Sequence, residues 1–361
     1  MSAGKQESVV VAMSGGVDSS VAAALLKEEG YQVIGITMQI WPAESKAVDG
    51  SGCCGLGAVE DARQVAYRLG IPHYVIDLRG VFEEKVIADF CREYSQGRTP
   101  NPCVRCNQHI KFGALWQKAA GLGADFIATG HYARIEKSES TGRYLLKKGL
   151  DQRKDQSYFL YALTQQQMGR TLFPVGALTK DRVREIAGQL GLPVAHKPAS
   201  QEICFIPDGD YAGFIREHIP QTSQPGPILD GAGGLLGSHR GILSYTIGQR
   251  QGLGVSAKEP LYVTSIDTGR NAVVVGSREM AYSDRLTASG LNWIARPELP
   301  ARIKARIRHR HPEAEAELTD LGTDKVLVKF TQPQLAITPG QAVVFYDNDT
   351  VIGGGTIEKA G

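Results

Sequence analysis

The chain has 361 residues, of which 42% are hydrophobic and 22% charged, and its formal net charge is +2. That composition supplies ample apolar side chains for folded cores, speaks against an intrinsically disordered chain, and exerts no global pull on nucleic acid, while the length calls for two or three domains. No apolar run approaches the ~20 residues of a membrane span, and Met1 to Ser8 lacks the apolar stretch of a secretion signal, so a cytoplasmic protein is expected.

In chain order, the apolar run from Ser8 through Ala12 and Met13 reads as a buried strand. It enters Ser14-Gly15-Gly16-Val17-Asp18-Ser19-Ser20, and a helical pattern follows from Val21 to Glu29. Two glycines allow a tight bend and a close approach to a ligand. The serine hydroxyls and the amides at the helix start are donors for an anion, with the helix dipole in the right sense. The loop is neither G-x-x-x-x-G-K-[ST], whose lysine is missing, nor G-x-G-x-x-G. A plain strand-to-helix turn is the other reading of these residues.

Gln32–Met38 reads as a second strand, Ala58–Leu69 as a helix, His73–Leu78 as a third strand and Val81–Tyr94 as a helix. Gly97–Asn107, with two prolines and two cysteines, reads as irregular. A helix near Ile110–Ala120 then precedes a fourth strand, Asp125–His131. Alternating strands and helices predict right-handed crossovers, a parallel sheet and a ligand crevice at the carboxyl ends of the strands, where Ser14, Met38 and Gly130 fall. Tyr132–Leu150 reads as a hairpin, and Asp155–Ala162 and Lys180–Leu190 read as helices. After Pro207 the texture changes to a helix at Tyr211–His218, a Gly/Pro-rich region, and short β runs from Asp284 that predict a small all-β barrel or sandwich. The domains expected are 1–207, 208–282 and 283–361.

Cysteines stand at 53, 54, 91, 103, 106 and 204. Cys103-Val104-Arg105-Cys106 suits half a zinc site, a redox pair or a nucleophile with a neighbour. The sequence has no second C-x-x-C or H-x-x-x-H to complete a closed zinc site. Arg98, Arg105 and Lys111 would favour a thiolate here. Cys204 either completes a three-thiol set or is an inert residue of an apolar segment. The charged loop Asp151–Ser157 is either a helix cap or a contact for a phosphate-rich partner. Arg302, Lys304, Arg306, Arg308 and Arg310 alternate, which on a strand places them on one face as a stripe for phosphates. In a tight hairpin about His311-Pro312, Arg306, Arg308 and Arg310 would face Glu313, Glu315 and Glu317, leaving Arg302 and Lys304 for the partner.

Ser14–Ser19 resembles the signature of the PP-loop ATP pyrophosphatases. Further stretches narrow the resemblance to the tRNA-specific 2-thiouridylases: Cys53-Cys54-Gly55-Leu56, Asn101-Pro102-Cys103, Cys106-Asn107, Ala128-Thr129-Gly130-His131-Tyr132, Lys154-Asp155-Gln156-Ser157-Tyr158, Ser200-Gln201-Glu202-Ile203-Cys204-Phe205, Tyr245-Thr246-Ile247-Gly248-Gln249-Arg250 and Thr338-Pro339-Gly340-Gln341. The resemblance implies a PP-loop α/β domain, a small central domain and a C-terminal β-barrel. It implies an ATP-dependent sulfurtransferase that adenylates O2 of the wobble uridine of Lys, Glu and Gln tRNAs and replaces that oxygen with sulfur.

Carried residue by residue, the resemblance puts ATP and Mg2+ at Ala12, Met13, Ser14, Gly15, Gly16, Val17, Asp18, Ser19, Met38 and Gly130, with Asp18 catalytic. Cys204 becomes the persulfide carrier, loaded by a cysteine desulfurase or sulfur-relay protein. Cys106 becomes the nucleophile that ends in a disulfide with it. Asn101, Pro102 and Cys103 would hold the flipped base, and His131, Lys154, Asp155, Gln156, Arg308, His309 and Gln341 would touch tRNA. Relatives with Asp at the position of Cys103 leave its role open. An iron–sulfur cluster on Cys103, Cys106 and Cys204 is a rival mechanism. A PP-loop tRNA ligase without sulfur transfer, and a non-enzymatic tRNA-binding module, are the alternative functions.

Overall fold

A computed structural model of the chain describes residues 6–40, 56–198, 203–219 and 224–361. The chain forms two compact units. One comprises Met1–Val86, Cys103–Pro207 and Asp349–Val351, and the other Ile87–Pro102, Asp208–Asn348 and Ile352–Gly361.

In the first unit, β1 (Ser8–Ala12), β2 (Gln32–Gln39), β3 (His73–Asp77) and β4 (Phe126–Ala128) are followed by a hairpin, β5 (Ala133–Lys137) and β6 (Tyr144–Lys148), and by the short β7 (Thr171–Leu172). The sheet order is β3-β2-β1-β4-β7. All of its pairs are parallel, with Val9 opposite both Val33 and Phe126. β1 is buried along its whole length, as a β-branched run at the centre of a doubly covered sheet must be. Helix α1 (Val17–Glu28) packs Val17, Val21, Ala22 and Leu26 against it, with Val65, Ala66, Val183 and Ala187 from other helices in the same cluster. Each such valine or leucine contributes about 1.5–3 kcal/mol. The chain runs outward through β2 and β3 and returns to β4 on the far side of β1. The strand order therefore reverses between β1 and β4, and a crevice opens at their carboxyl ends.

Three local expectations are corrected. The fourth strand is confined to Phe126–Ala128, and a fifth, β7, joins the sheet beside it. Asp155–Ala162 holds only a 3-10 turn at Ser157–Leu160. The region expected to be irregular up to Asn107 is helical from Pro102: α-helical at Pro102–Arg105, a wide π-helical stretch at Cys106–Leu115, then α-helical again at Trp116–Gly121. Pro102 opens this run at the one helical position where its fixed φ and missing N–H cost nothing. Cys103 and Cys106 are thus one turn apart near a helix start. Cys53 and Cys54, and Ser200 to Glu202, lie outside the described residues.

The second unit contains a four-stranded sheet of β8 (Gly226–Leu229), β9 (Leu235–His239), β10 (Tyr262–Asp267) and β11 (Ala272–Gly276) in the order β10-β11-β8-β9. Its core is Ile228, Tyr245, Val263, Val273 and Val275. It also contains β12 (Tyr282–Trp293), β13 (Ala301–Arg306), β14 (Ala314–Gly322), β15 (Lys325–Leu335), β16 (Ala342–Asp347) and β17 (Thr350–Ala360). β12 pairs with both β15 and β17, which closes these strands into an antiparallel barrel around Leu286, Ala305, Leu318, Val328, Phe330 and Phe345. Of the two β architectures the sequence allowed, the barrel is realised. It leaves no open edge.

The basic stripe is also re-registered. Arg302 lies opposite Glu317 and Lys304 opposite Glu315. Arg306, rather than Arg310, meets Glu313, at 2.8 Å. The connection after β13 is a broad loop instead of a two-residue turn, so the glutamates face the first three basic residues and not the last three.

Candidate functional site

The first constellation lies at the reversal of strand order. Gly15 has φ +66°, and a Cβ there would lie 2.3 Å from the carbonyl oxygen of Ala58, so only glycine fits this bend. Gly16 is the extended N-cap of α1 and, having no side chain, leaves the first-turn amides uncapped. Ser19 and Ser20 turn their hydroxyls onto the Gly16 carbonyl at 3.2 and 2.9 Å, and Ser19 Oγ accepts the Ser14 N–H at 3.2 Å. The loop is therefore self-braced around a ring of amide donors. Gly130, beyond β4, approaches so closely that a Cβ would lie 2.6 Å from Asp18 C and Ser19 N. Met38 lies at the carboxyl end of β2, with Ala12 and Met13 in the adjoining core, all three buried. The uncapped amides and the glycine-only approaches fit a phosphate chain.

Asp18, in the first turn of α1, accepts at Oδ1 from the Tyr132 hydroxyl at 2.7 Å and from Lys180 Nζ at 2.6 Å. Burial, and then the Asp18 charge, raise the Tyr132 phenol far above its usual range, so it stays protonated and donates. Lys180 begins the helix Lys180–Gln189, capped by Thr179, and its backbone N–H donates to Asp151 Oδ2 at 3.1 Å. Burial pushes the Asp151 carboxyl up, but the Lys180 and Arg153 donors outweigh it and hold the group below the ordinary carboxylate range. Lys197 donates to the Gly15 carbonyl at 3.1 Å and pairs with Asp61. Nothing in the sequence pattern marks Tyr132, Lys180, Lys197 or Asp61 as neighbours of this loop. Lys180 is 162 positions from Asp18, so no local pattern links them.

The second constellation is the cysteine helix. Cys103 is exposed, and Cys106 and Cys204 are half-buried. Asn107, next to Cys106, is buried and donates to the Phe159 carbonyl at 3.0 Å. Among the described residues, no group of three His, Cys, Asp or Glu side chains is disposed to hold a metal.

The residues expected to touch tRNA are placed diversely. His131 is buried between Phe112 and Phe173. Its Nδ1 lies 2.6 Å from Thr129 Oγ1 and its Nε2 3.5 Å from Lys111 Nζ. Burial, and then Lys111, hold it well below the usual imidazole range. Asp155 is buried, its carboxylate accepting from Gly149 N and from Ser157 N and Oγ. The Gln156 backbone N–H donates to the Tyr132 carbonyl and its side-chain Oε1 accepts the Tyr132 N–H, at 2.9 Å each. Lys154 is exposed. In the second unit Arg308 donates to the carbonyls of Ile247 and Ala336 and to Thr338 Oγ1, and the Gln341 amide donates to Thr99 O and Pro100 O.

A strand-loop-helix anion cradle at the reversal point of a parallel sheet, in a chain that also folds a closed β-barrel, defines a nucleotide-binding α/β protein of the HUP class with an appended barrel. Family profiles agree: residues 7–208 match the tRNA methyl transferase HUP domain, 212–277 the tRNA methyl transferase PRC-barrel domain and 283–357 the aminomethyltransferase beta-barrel domain. The chain is 55% identical to the tRNA-specific 2-thiouridylase MnmA of Heliobacterium modesticaldum, over 98% of this chain and 93% of that one. It is 55% identical to MnmA 1 of Caldanaerobacter subterraneus subsp. tengcongensis, over 97% and 98%, and 53% identical to the MnmA of Acetivibrio thermocellus, over 98% and 99%. The chain belongs to the tRNA-specific 2-thiouridylase family.

Proposed function

We propose that this protein is an ATP-dependent tRNA sulfurtransferase that converts the wobble uridine of Lys, Glu and Gln tRNAs to 2-thiouridine. The observation that carries the reading is the match to relatives of that name along almost the whole chain. The "methyl transferase" in the family profile's description and the "thiouridylase" of the relatives name different chemistries. Two half-buried cysteines in the first unit, Cys106 and Cys204, support the second.

A ring carbonyl is a poor electrophile because its oxygen leaves badly. In the proposed first step O2 of the uridine bonds to the α-phosphorus of ATP and the bond to pyrophosphate breaks, so that AMP becomes the leaving group. The Ser14–Ser19 amides would hold the phosphates, Asp18 would face the accompanying Mg2+, and Met38 and Gly130 would flank the adenosine. In the second step the terminal sulfur of a Cys204 persulfide attacks carbon 2 and AMP departs. The Cys106 thiolate then attacks Cys204 Sγ, which frees the thiolated base and leaves a Cys106–Cys204 disulfide for a dithiol to reduce. The persulfide comes from a sulfur-donor protein such as a cysteine desulfurase or a relay partner. Asn101, Pro102 and Cys103 would grip the extruded base.

The test is tRNA thiolation by protein purified anaerobically, supplied with ATP and either a persulfide donor or sulfide alone, with 2-thiouridine read by mass spectrometry. Thiolation by the persulfide donor that is abolished in both Cys106→Ser and Cys204→Ser is the expected result. Full activity of either variant would sink the persulfide route, and AMP formation without any sulfur incorporation would leave a ligase.

A further inference from the structure

The loop Ser14–Ser20 contains no cationic residue. A nucleotide seated on it would meet amide dipoles but no full positive charge from the loop itself. The fold brings such a charge from elsewhere in the first unit. Lys180 Nζ lies 2.6 Å from Asp18 Oδ1, in the first turn of α1, and its side chain is only 7% exposed. Its backbone is fixed by Asp151 and by the Thr179 cap. Its ammonium also lies 5.9 Å from the centre of the Tyr132 ring, whose hydroxyl shares the same carboxylate oxygen. Lys197 takes a different part, tied to the Gly15 carbonyl and to Asp61.

We propose that Lys180 is a catalytic residue of adenylation, the cation that the loop lacks. With nucleotide bound, its ammonium contacts phosphate oxygens, exchanging Asp18 for a stronger anion within reach. Asp18 keeps the Tyr132 hydroxyl as a donor. As O2 of the uridine bonds to the α-phosphorus, the electron pair of the breaking P–O bond passes to pyrophosphate, and Lys180 balances the charge that accumulates there; no proton moves. Two physical points favour this over a purely structural pair. A buried ammonium is costly to retain for stability alone, since an apolar side chain of similar volume serves a core as well. And a cation aimed where leaving-group charge develops acts most strongly in a water-poor site. The proposal rests on the reading of the loop as an ATP site.

Four measurements on the full chain test it, three comparing the wild type with Lys180→Met and Lys180→Arg and one made on the wild type alone. Titration calorimetry should show MgATP bound at least roughly tenfold more weakly by Lys180→Met, and tRNA-dependent ATP–pyrophosphate exchange should fall by about 100-fold or more, with Lys180→Arg recovering a large part. Affinity for tRNA should be unaltered. In the wild type, reductive methylation of Lys180, followed by mass spectrometry, should be slowed by MgATP and not by adenosine, a result that needs no variant to fold. If Lys180→Met binds and exchanges like the wild type, or if MgATP and adenosine act alike on Lys180 labelling, the assignment fails while the ATP reading stands. If the wild type itself binds no MgATP, the ATP reading fails and takes the assignment with it.

Discussion

The Gln341 side-chain amide donates to the carbonyl oxygen of Thr99, and to that of Pro100, at 3.0 Å each. The Thr99 N–H in turn donates to the Pro339 carbonyl at 2.8 Å, and a Cβ on Gly340 would lie 2.9 Å from the Thr99 nitrogen. Arg98 adds a bond to the Ile357 carbonyl and ion pairs with Glu93 and Glu358. The barrel thus grips the backbone immediately before Asn101, Pro102 and Cys103. As a tRNA contact Gln341 would set affinity; as a clasp it sets where the following residues sit. Gln341→Met strands two carbonyls, a loss of about 1–3 kcal/mol, or roughly tenfold or more in rate if it falls on the chemical step. The expected outcome is slower single-turnover thiolation with unchanged tRNA affinity. A raised dissociation constant at a normal rate would return Gln341 to the RNA surface.

Gly130→Ala tests the cradle from its other side. The new methyl would meet backbone atoms of Asp18 and Ser19, which cannot swing away as a side chain would. Overpacking of this kind costs roughly 1–3 kcal/mol. The displaced amides should weaken MgATP binding by about tenfold or more, since each ~1.4 kcal/mol is a factor of ten. Calorimetry with MgATP and a urea melt separate the two effects; unaltered nucleotide affinity in a destabilised variant would show that Gly130 serves packing only.

The part of this architecture legible in the sequence was the part with a short-range signal. β1, α1, β2 and α2 (Leu56–Leu69) announce themselves by apolar runs and periodicity, and the bend at Gly15 by a glycine pair. β7, two residues long, has no pattern of its own and exists because β4 offers it a partner. The helix through Cys103 and Cys106 was hidden by two prolines that usually break helices; Pro102 instead begins one. Lys180 was hidden because its partner is set by the packing of its helix on α1, not by spacing. Arg308 and Gln341 read as tRNA contacts, and in the fold they donate to carbonyls of their own unit, a feature that only tertiary structure reveals.

His131 predicts a pH dependence. Burial, and then Lys111, place its imidazole well below 6.5, so it is neutral in the folded chain. Below about pH 6.5 the unfolded chain takes up a proton that the folded chain refuses, so stability is complete above that value and falls as the pH drops, by at most ~1.4 kcal/mol per pH unit for one group. His73, lowered by burial and by Arg63, acts in the same sense. Urea melts near pH 5 and pH 7.5 should show that His131→Gln removes part, and not all, of the acid-side loss. An identical loss in variant and wild type would mean that His131 titrates normally.

The barrel's basic residues set the last expectation. Read as a tight hairpin, β13 would present Arg302 and Lys304 free for phosphates. In the barrel they stand opposite Glu317 and Glu315, all four exposed, while Arg306 pairs with Glu313 and Arg308 turns to the Ile247 and Ala336 carbonyls. Cross-strand pairs of opposite charge are worth only about 0.2–1 kcal/mol, but they set a carboxylate directly opposite each of these two cations. A phosphate approaching Arg302 or Lys304 would have to displace that carboxylate. Each true phosphate contact adds ~0.7–0.9 to the slope of log affinity against log salt. The double variant Arg302→Gln, Lys304→Gln should therefore bind tRNA with the wild-type slope. A slope reduced by about 1.5 would show that both residues leave their glutamates for RNA, and the stripe would then belong to the tRNA-binding surface after all.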